Sequence, residues 1–201
     1  MDFKIEPQTG RFETTSQGIA AVVDEAARVA LNDFNSGRSD SWRSAEGLTH
    51  IRLSARLLRG RPNEQPVLQV LSQCLEGRVL EGIDANGQDA VLIDPRGSTF
   101  TIQIVTVPTD PEINMAIGRG ETIERALTDE EAARWIASSI EKKIPVAAGD
   151  VILALDARPF ALLTHEAVIA QFLAGNSNLT ETAFCQVWLV GPLPARSVRL
   201  L

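Results

Sequence analysis

Two strong turn signals divide residues 78–107 into three short apolar segments, and no other feature constrains the fold as much. The segments, at 78–83, 89–93 and 100–107, are rich in the apolar and β-branched residues of strands. The sequences between them, Asp-Ala-Asn-Gly and Asp-Pro-Arg-Gly-Ser, combine residue types that reverse the chain tightly. Because strands joined by such short turns pair with each other, the region is predicted to form an antiparallel three-stranded meander.

One helix is predicted directly before the meander and another after it. The first begins at Asn63, a good capping residue, and ends at Gly77. Its apolar residues recur at helical spacing: Val67, Leu68, Leu71, Cys74 and Leu75. The second helix begins with Thr128 and Glu131, which have the spacing of a capping box. A short buried strand is predicted at 151–155.

The remaining elements lie on both sides of this core. A helix capped by Thr15 or Ser16 is predicted near the N-terminus, and a loop follows at 35–44. A further helix at 164–173 and a strand at 184–190 come after the core. The chain is therefore predicted to be one α/β domain, with an N-terminal helical arm at 1–60, a core at 61–156 and an appended helix and strand at 157–201.

Composition excludes several classes of protein. A chain of 201 residues with 44% hydrophobic and 22% charged residues is typical of one globular domain. Its net charge of −7 repels polyanions, so contact with nucleic acid requires a local basic patch. No apolar run approaches a membrane span and the first residues lack a signal peptide core, so a cytoplasmic protein without a membrane partner is expected. Cys74 and Cys185 lack metal-site spacing and are predicted to be buried thiols.

One basic patch stands out in this acidic chain. It consists of Arg52, Arg56, Arg59 and Arg61, and the first three are spaced as on one helix face. Such a face is a candidate for binding the phosphates of a nucleic acid. The alternatives are a solvated helix face and a surface that binds a protein partner.

Three polar residues occupy positions where the predicted elements are otherwise apolar. Glu64 lies at the N-terminal end of the apolar stripe on the first core helix. Asp89 and Gln103 share strand parity with apolar residues of the second and third strands of the meander. The alternatives are a first-turn acid stabilised by the helix dipole for Glu64, the end of a turn for Asp89, and a solvated sheet face for Gln103.

The order of helix, three strands, helix and strand, with acids at Glu64 and Asp89, resembles the core of the PD-(D/E)xK nuclease-like superfamily. The resemblance covers about residues 61–156. It implies a three-layer restriction-endonuclease-like core (αβββαβ) with a mixed sheet. It also implies that Glu64, Asp89 and Gln103 are the catalytic positions and the ligands of Mg²⁺, which activates a water molecule for phosphodiester hydrolysis.

The chain departs from the family motif on the third strand. Where the family has a carboxylate, any residue and a lysine, this chain has Gln103, Ile104 and Val105. A neutral amide is a weaker ligand than a carboxylate, and Val105 cannot orient water. Lys142 and Lys143, at the end of the second core helix, are the candidates for a displaced lysine; alternatively they complement the C-terminal end of that helix.

The expected protein therefore has a nuclease-like fold with a degenerate active site, is catalytically weak or inactive, and acts through binding. Its cofactor is Mg²⁺ or none, and its partner is a nucleic acid or a protein. One alternative is a Mg²⁺-dependent nuclease with an altered motif. The other is a protein–protein interaction module that uses a similar layered sheet.

Overall fold

The computed structural model describes residues 16–53, 64–81, 89–108, 111–176 and 182–201, and it confirms an α/β protein with a mixed sheet. Its α-helices are α1 (Ser16–Asn35), α2 (Gln65–Leu75), α3 (Pro111–Gly118), α4 (Asp129–Glu141) and α5 (Glu166–Gly175). Its strands are β1 (Ser41–Arg43), β2 (Thr49–Leu53), β3 (Arg78–Glu81), β4 (Ala90–Ile93), β5 (Thr99–Thr106), β6 (Ile123–Leu127), β7 (Val151–Asp156), β8 (Gln186–Val190) and β9 (Val198–Arg199). Short 3₁₀ helices occupy Ile144–Val146, Arg158–Thr164 and Pro194–Arg196.

The larger sheet contains six of the described strands in the order β3-β4-β5-β7-β8-β9. β3, β4 and β5 pair antiparallel, with Leu80 opposite Val91 and Val91 opposite Thr101, which confirms the predicted meander. β5, β7 and β8 pair parallel, and Ile102 lies beside Ile152. Parallel neighbours need a long crossover between them, which α3, β6 and α4 supply for the first pair and α5 supplies for the second.

Helices cover the two faces of the larger sheet. On one face, Val67 of α2 joins Ile102 and Ile152 in a buried cluster. On the other face, Ile136 of α4 joins Leu153 and the apolar residues of α5. Because successive strand residues point to opposite faces, even-numbered residues of β5 and β7 face α2 and odd-numbered ones face α4 and α5. Within the described ranges, no helix is long and apolar enough to cross a membrane.

A second sheet, in the order β1-β2-β6, joins the N-terminal part of the chain to the core. β2 pairs antiparallel with β6, and its Ile51 and Leu53 are buried in the cluster that α4 and α5 form. The prediction of a helix through Arg52 is therefore wrong. Arg52 lies on β2, where burial alternates with a period of two residues, and this pattern outweighs the helical spacing of the arginines. α3 and β6, which the sequence pattern did not predict, lie between β5 and α4.

Capping interactions set the ends of two core helices. The predicted capping box is present at α4, where Glu131 N donates to Thr128 Oγ1 (3.2 Å) and Thr128 N donates to Glu131 Oε2 (2.8 Å). At the end of α2, Glu76 and not Gly77 has a positive φ, of 50°. Gly77 instead allows a close approach, since a Cβ there would lie 3.0 Å from Ile93 O.

The two cysteines differ from the prediction, because both are half-buried and neither is fully buried. Cys185 Sγ donates a hydrogen bond to Val151 O (3.2 Å). Burial raises the pKa of both the Cys74 and the Cys185 thiol. Both thiols are therefore held mainly in their protonated, less reactive form.

Candidate functional site

Asp89 and Gln103 lie side by side where β4 begins. Ala90 pairs with Ile102, so the antiparallel register places Asp89 opposite Gln103, and Asp89 N donates to Ile102 O at 3.1 Å. Gln103 is only 6% exposed and belongs to the sheet face covered by α4, on which Val105 also packs. The structure therefore brings two of the three predicted site residues together.

The carboxylate of Asp89 is engaged by the backbone of β5. Ile104 N donates to Asp89 Oδ2 at 2.5 Å. Ile104 lies beyond the last residue pair of β4 and β5, so the side chain of Asp89 accepts where a strand carbonyl would otherwise do so. Leaving a buried N–H without an acceptor costs about 1–3 kcal/mol. Asp89 therefore has a structural role as a hydrogen-bond acceptor for the backbone of β5.

Lys143 reaches Gln103 from the end of α4. Lys142 caps the C-terminus of that helix, and Lys143 is the N-cap residue of the following 3₁₀ helix. Lys143 Nζ donates to Gln103 Oε1 at 3.4 Å, a long and therefore weak hydrogen bond. Of the two lysines that the sequence offers as replacements for the family lysine, Lys143 is half-buried and contacts the candidate site, whereas Lys142 is exposed.

Glu64 belongs to a helix on the other side of the sheet. It is the N-cap residue of α2, it is exposed, and its side chain makes no capping hydrogen bond. α2 packs on the even-numbered face of β5, whereas Gln103 lies on the odd-numbered face. The structure therefore does not place Glu64 on the same face as Gln103, and its role as a ligand stays a prediction.

The donors around Gln103 do not suit Mg²⁺. This ion prefers anionic oxygens and usually takes one or two carboxylates. The cluster offers one carboxylate, Asp89, whose Oδ2 already accepts a hydrogen bond from Ile104 N. The amide oxygen of Gln103 accepts from the Lys143 ammonium, whose charge would repel a divalent cation. In the part of the chain that the structure describes, no group of three or more His, Cys, Asp or Glu side chains is placed to hold a metal.

Arg52 is the one member of the predicted basic patch within the described residues, and it is bound inside the molecule. Its Nε donates to Glu124 Oε1 and its Nη1 to Phe34 O, each at 2.7 Å. Its guanidinium also lies 4.4 Å from the centre of the Phe34 ring. Arg52 therefore ties α1 to the smaller sheet. The other three members lie outside the described residues: Arg56, Arg59 and Arg61.

Arg43 is likewise engaged by a carboxylate. Its two terminal nitrogens donate to Asp129 Oδ1 (2.7 Å) and Oδ2 (2.9 Å), and Nη1 also donates to Thr49 Oγ1 (3.1 Å). The hydrogen bonds from Arg43 hold the pKa of Asp129 below its usual range. Because Asp129 is the first residue of α4, this pair joins the smaller sheet to the N-terminal end of the helix.

Asp156, which is not among the predicted site residues, is the most deeply buried carboxylate of the described chain. It ends β7 and is 3% exposed. Arg158 Nε and Nη2 donate to its two oxygens at 2.8 and 2.9 Å, and Arg158 N donates to Oδ1 at 3.1 Å. The signal in the sequence is an acid that ends the apolar run at 151–155 and is followed two residues later by an arginine.

Comparison of the chain with protein-family models, with curated proteins and with solved structures found no match, so the function has to be inferred from the geometry described above.

Proposed function

We propose that this chain has a restriction-endonuclease-like core that no longer hydrolyses nucleic acid, and that it acts by binding a partner. The order α2, β3, β4, β5, α4, β7 supports the proposal, because it is the order that the family resemblance implies, with α3 and β6 inserted before α4. The four strands are also neighbours in the sheet in chain order. Similarity of fold carries no activity by itself, so the case depends on the chemistry of the site.

The contact between Lys143 and Gln103 carries the proposal. Metal-dependent hydrolysis needs anionic oxygens that hold the ion close to the attacking water. Gln103 supplies no charge, and its amide oxygen accepts from the ammonium of Lys143. The carboxylate of Asp89 accepts a hydrogen bond from the backbone of β5. The cluster is thus one carboxylate, one amide and one ammonium with internal hydrogen bonds, a composition that suits a structural role better than catalysis.

A protein partner fits the described surface better than a nucleic acid. Phosphate recognition uses several available cations on one face. Here Arg43, Arg52 and Arg158 each form an ion pair with a carboxylate of the same chain. The net charge of −7 adds a long-range repulsion toward polyanions.

The test compares the parent protein with Gln103→Glu in calorimetric titrations with Mg²⁺ and Mn²⁺ and in cleavage assays with DNA and RNA. We expect neither metal binding nor cleavage from the parent protein. Gln103→Glu places a second carboxylate opposite Asp89, and its negative charge offsets the repulsion of a cation by Lys143, so we expect it to gain measurable metal binding. Gln73→Glu is the matched control, because it adds the same charge at an exposed position of α2 and should gain none.

The alternative of a Mg²⁺-dependent nuclease makes the opposite prediction. Metal-dependent cleavage by the parent protein that disappears in Asp89→Asn would establish the nuclease and overturn the proposal. Asparagine is the better substitution here because its side-chain oxygen can still accept from Ile104 N. Salt-dependent binding of DNA or RNA by the parent protein would overturn the preference for a protein partner.

A further inference from the structure

The outer edge of β3 is open in the part of the chain that the structure describes. β3 is the first strand in the order of the larger sheet and pairs with β4 on its inner side. On an edge strand, alternate residues direct their backbone N–H and C=O groups outward, where an added strand can pair with them. Side chains at this edge are accessible, since Arg78 is exposed and Leu80 is 37% exposed.

A groove with a volume of about 440 Å³ runs between this edge and α2. Gln65 and Gln69 line it from the helix, and Val79 lines it from the strand. Leu68, which is 4% exposed, supplies an apolar contact at its base. A groove between a helix and an open strand edge matches an extended peptide, because the peptide backbone can pair with the strand while alternate side chains enter the groove.

Arg78 supplies the positive charge at this edge, and its side chain leaves β3 on the face opposite to Val79, because successive strand residues point to opposite faces. Among the described residues Arg78 takes part in no ion pair, in contrast to Arg43, Arg52 and Arg158. The described residues that line the groove include no carboxylate. The chain as a whole has a net charge of −7, but the guanidinium of Arg78 gives this edge a local positive charge, which attracts an acidic side chain.

We infer that the groove between α2 and β3 binds an extended peptide segment of a partner protein, which pairs with β3 as an added strand. An acidic side chain of the peptide pairs with Arg78, and an apolar side chain packs on Leu68 and Val79. The side-chain amide of Gln69 offers both donors and an acceptor to the polar groups of the peptide. The inference rests on the proposed function, for which it names the binding surface and the chemistry of the partner.

The experiment begins with random peptides displayed on phage and selected on the full chain. We expect enriched peptides to contain Asp or Glu next to alternating apolar residues. Synthetic copies of these peptides are then titrated by fluorescence anisotropy. Gln69→Trp fills the groove and should weaken binding about tenfold or more, whereas Gln73→Trp, an exposed position of α2 that does not line the groove, should change it less than about twofold.

Charge reversal tests the role of Arg78 separately. Arg78→Glu replaces an attraction with a repulsion and should weaken binding of the acidic peptides about fivefold or more. Arg134→Glu is the control, because it makes the same change at an exposed position of α4. Hydrogen exchange should show slower exchange of backbone amides in 78–81 when the peptide is bound.

Three results would overturn the inference: no enriched peptide, enriched peptides without acidic residues, or equal binding by Gln69→Trp and Gln73→Trp. Failure of the proposed function is measured independently, since the metal and cleavage assays depend on Gln103 and Asp89 and not on the groove. If the protein cleaves nucleic acid and also binds these peptides, the inference about the groove stands and the proposed function is refuted. If the protein is inactive and binds no peptide, the inference about the groove alone is refuted.

Discussion

Asp156→Ala removes the buried carboxylate at the end of β7 and tests how much its ion pair stabilises the fold. The carboxylate accepts three hydrogen bonds from Arg158, two from the guanidinium and one from the backbone N–H. The side chain of Asp156 is 4% exposed and that of Arg158 is 18% exposed. Water can therefore replace the lost partner only in part, and the guanidinium and the backbone N–H of Arg158 are left incompletely hydrogen-bonded.

The expected loss of stability follows from this burial. Removing one partner of a buried ion pair costs about 3–5 kcal/mol. Because the guanidinium of Arg158 keeps some contact with solvent, we expect the lower end, about 3 kcal/mol. In a domain of this size each kcal/mol lowers Tm by about 2–4 °C, so Tm should fall by about 6–12 °C. The loss is a substantial part of the roughly 5–15 kcal/mol by which folded domains are usually stabilised.

Urea denaturation followed by circular dichroism measures the free energy of unfolding, and a thermal scan measures Tm. Glu121→Ala is the matched control, because Arg119 Nε and Glu121 Oε1 are 2.8 Å apart, the same distance as in the buried pair, but these side chains are 64% and 52% exposed. We expect Glu121→Ala to change the free energy of unfolding and Tm only slightly. Asp156→Asn keeps a hydrogen-bond acceptor, so its free energy of unfolding should fall less than that of Asp156→Ala. Equal losses of free energy of unfolding from Asp156→Ala and Glu121→Ala would refute the argument that burial makes the Asp156–Arg158 pair more stabilising than an exposed pair.

Two further predictions concern Asp129 and Gly191. Arg43 lowers the pKa of Asp129 in the folded chain, so the stabilisation is fully present above the ordinary aspartate pKa of about 3.9 and is lost as the pH falls through the lowered value. The difference in free energy of unfolding between the parent and Asp129→Asn, measured with urea, should therefore be larger above about pH 5 than at about pH 2; a difference that does not shrink between these two pH values would contradict this. Gly191→Ala would place a Cβ against the backbone of Arg196 and should cost about 1–3 kcal/mol in thermal or urea denaturation. Gly149→Ala, which has open space around it, should cost much less, and equal losses would count against the steric argument.

The pairing of β4 with β5 in the meander could be predicted because the turn between them is encoded by neighbouring residues. Asp94 Oδ1 accepts hydrogen bonds from Arg96 N (2.9 Å) and Ser98 N (2.8 Å), so one side chain within a five-residue segment holds the turn between β4 and β5. The capping box of α4 is local in the same way. β2 was not predicted because its partner, β6, lies far along the chain, and a five-residue strand carries too few alternations to outweigh arginines at helical spacing.

The candidate site was predictable in part for the same reason. Strand parity and short turns were enough to bring Asp89 next to Gln103. An apolar stripe on a helix shows that α2 packs on the sheet but not on which face, so the side occupied by Glu64 required the structure. The contact of Lys143 with Gln103 joins residues 40 positions apart, and it depends on where α4 ends above the sheet.

The pairing of β2 with β6 has a consequence for the chain during its synthesis. Arg52 and its ion-pair partner Glu124 are 72 positions apart, so β2 is made long before the strand that completes its sheet. At about 5–20 residues per second, the interval is roughly 4–14 s. During that time Ile51 and Leu53, which are buried in the folded protein, lack both β6 and the cover of α4. The nascent chain therefore exposes an apolar segment that chaperones can bind until the ribosome has added β6 and α4.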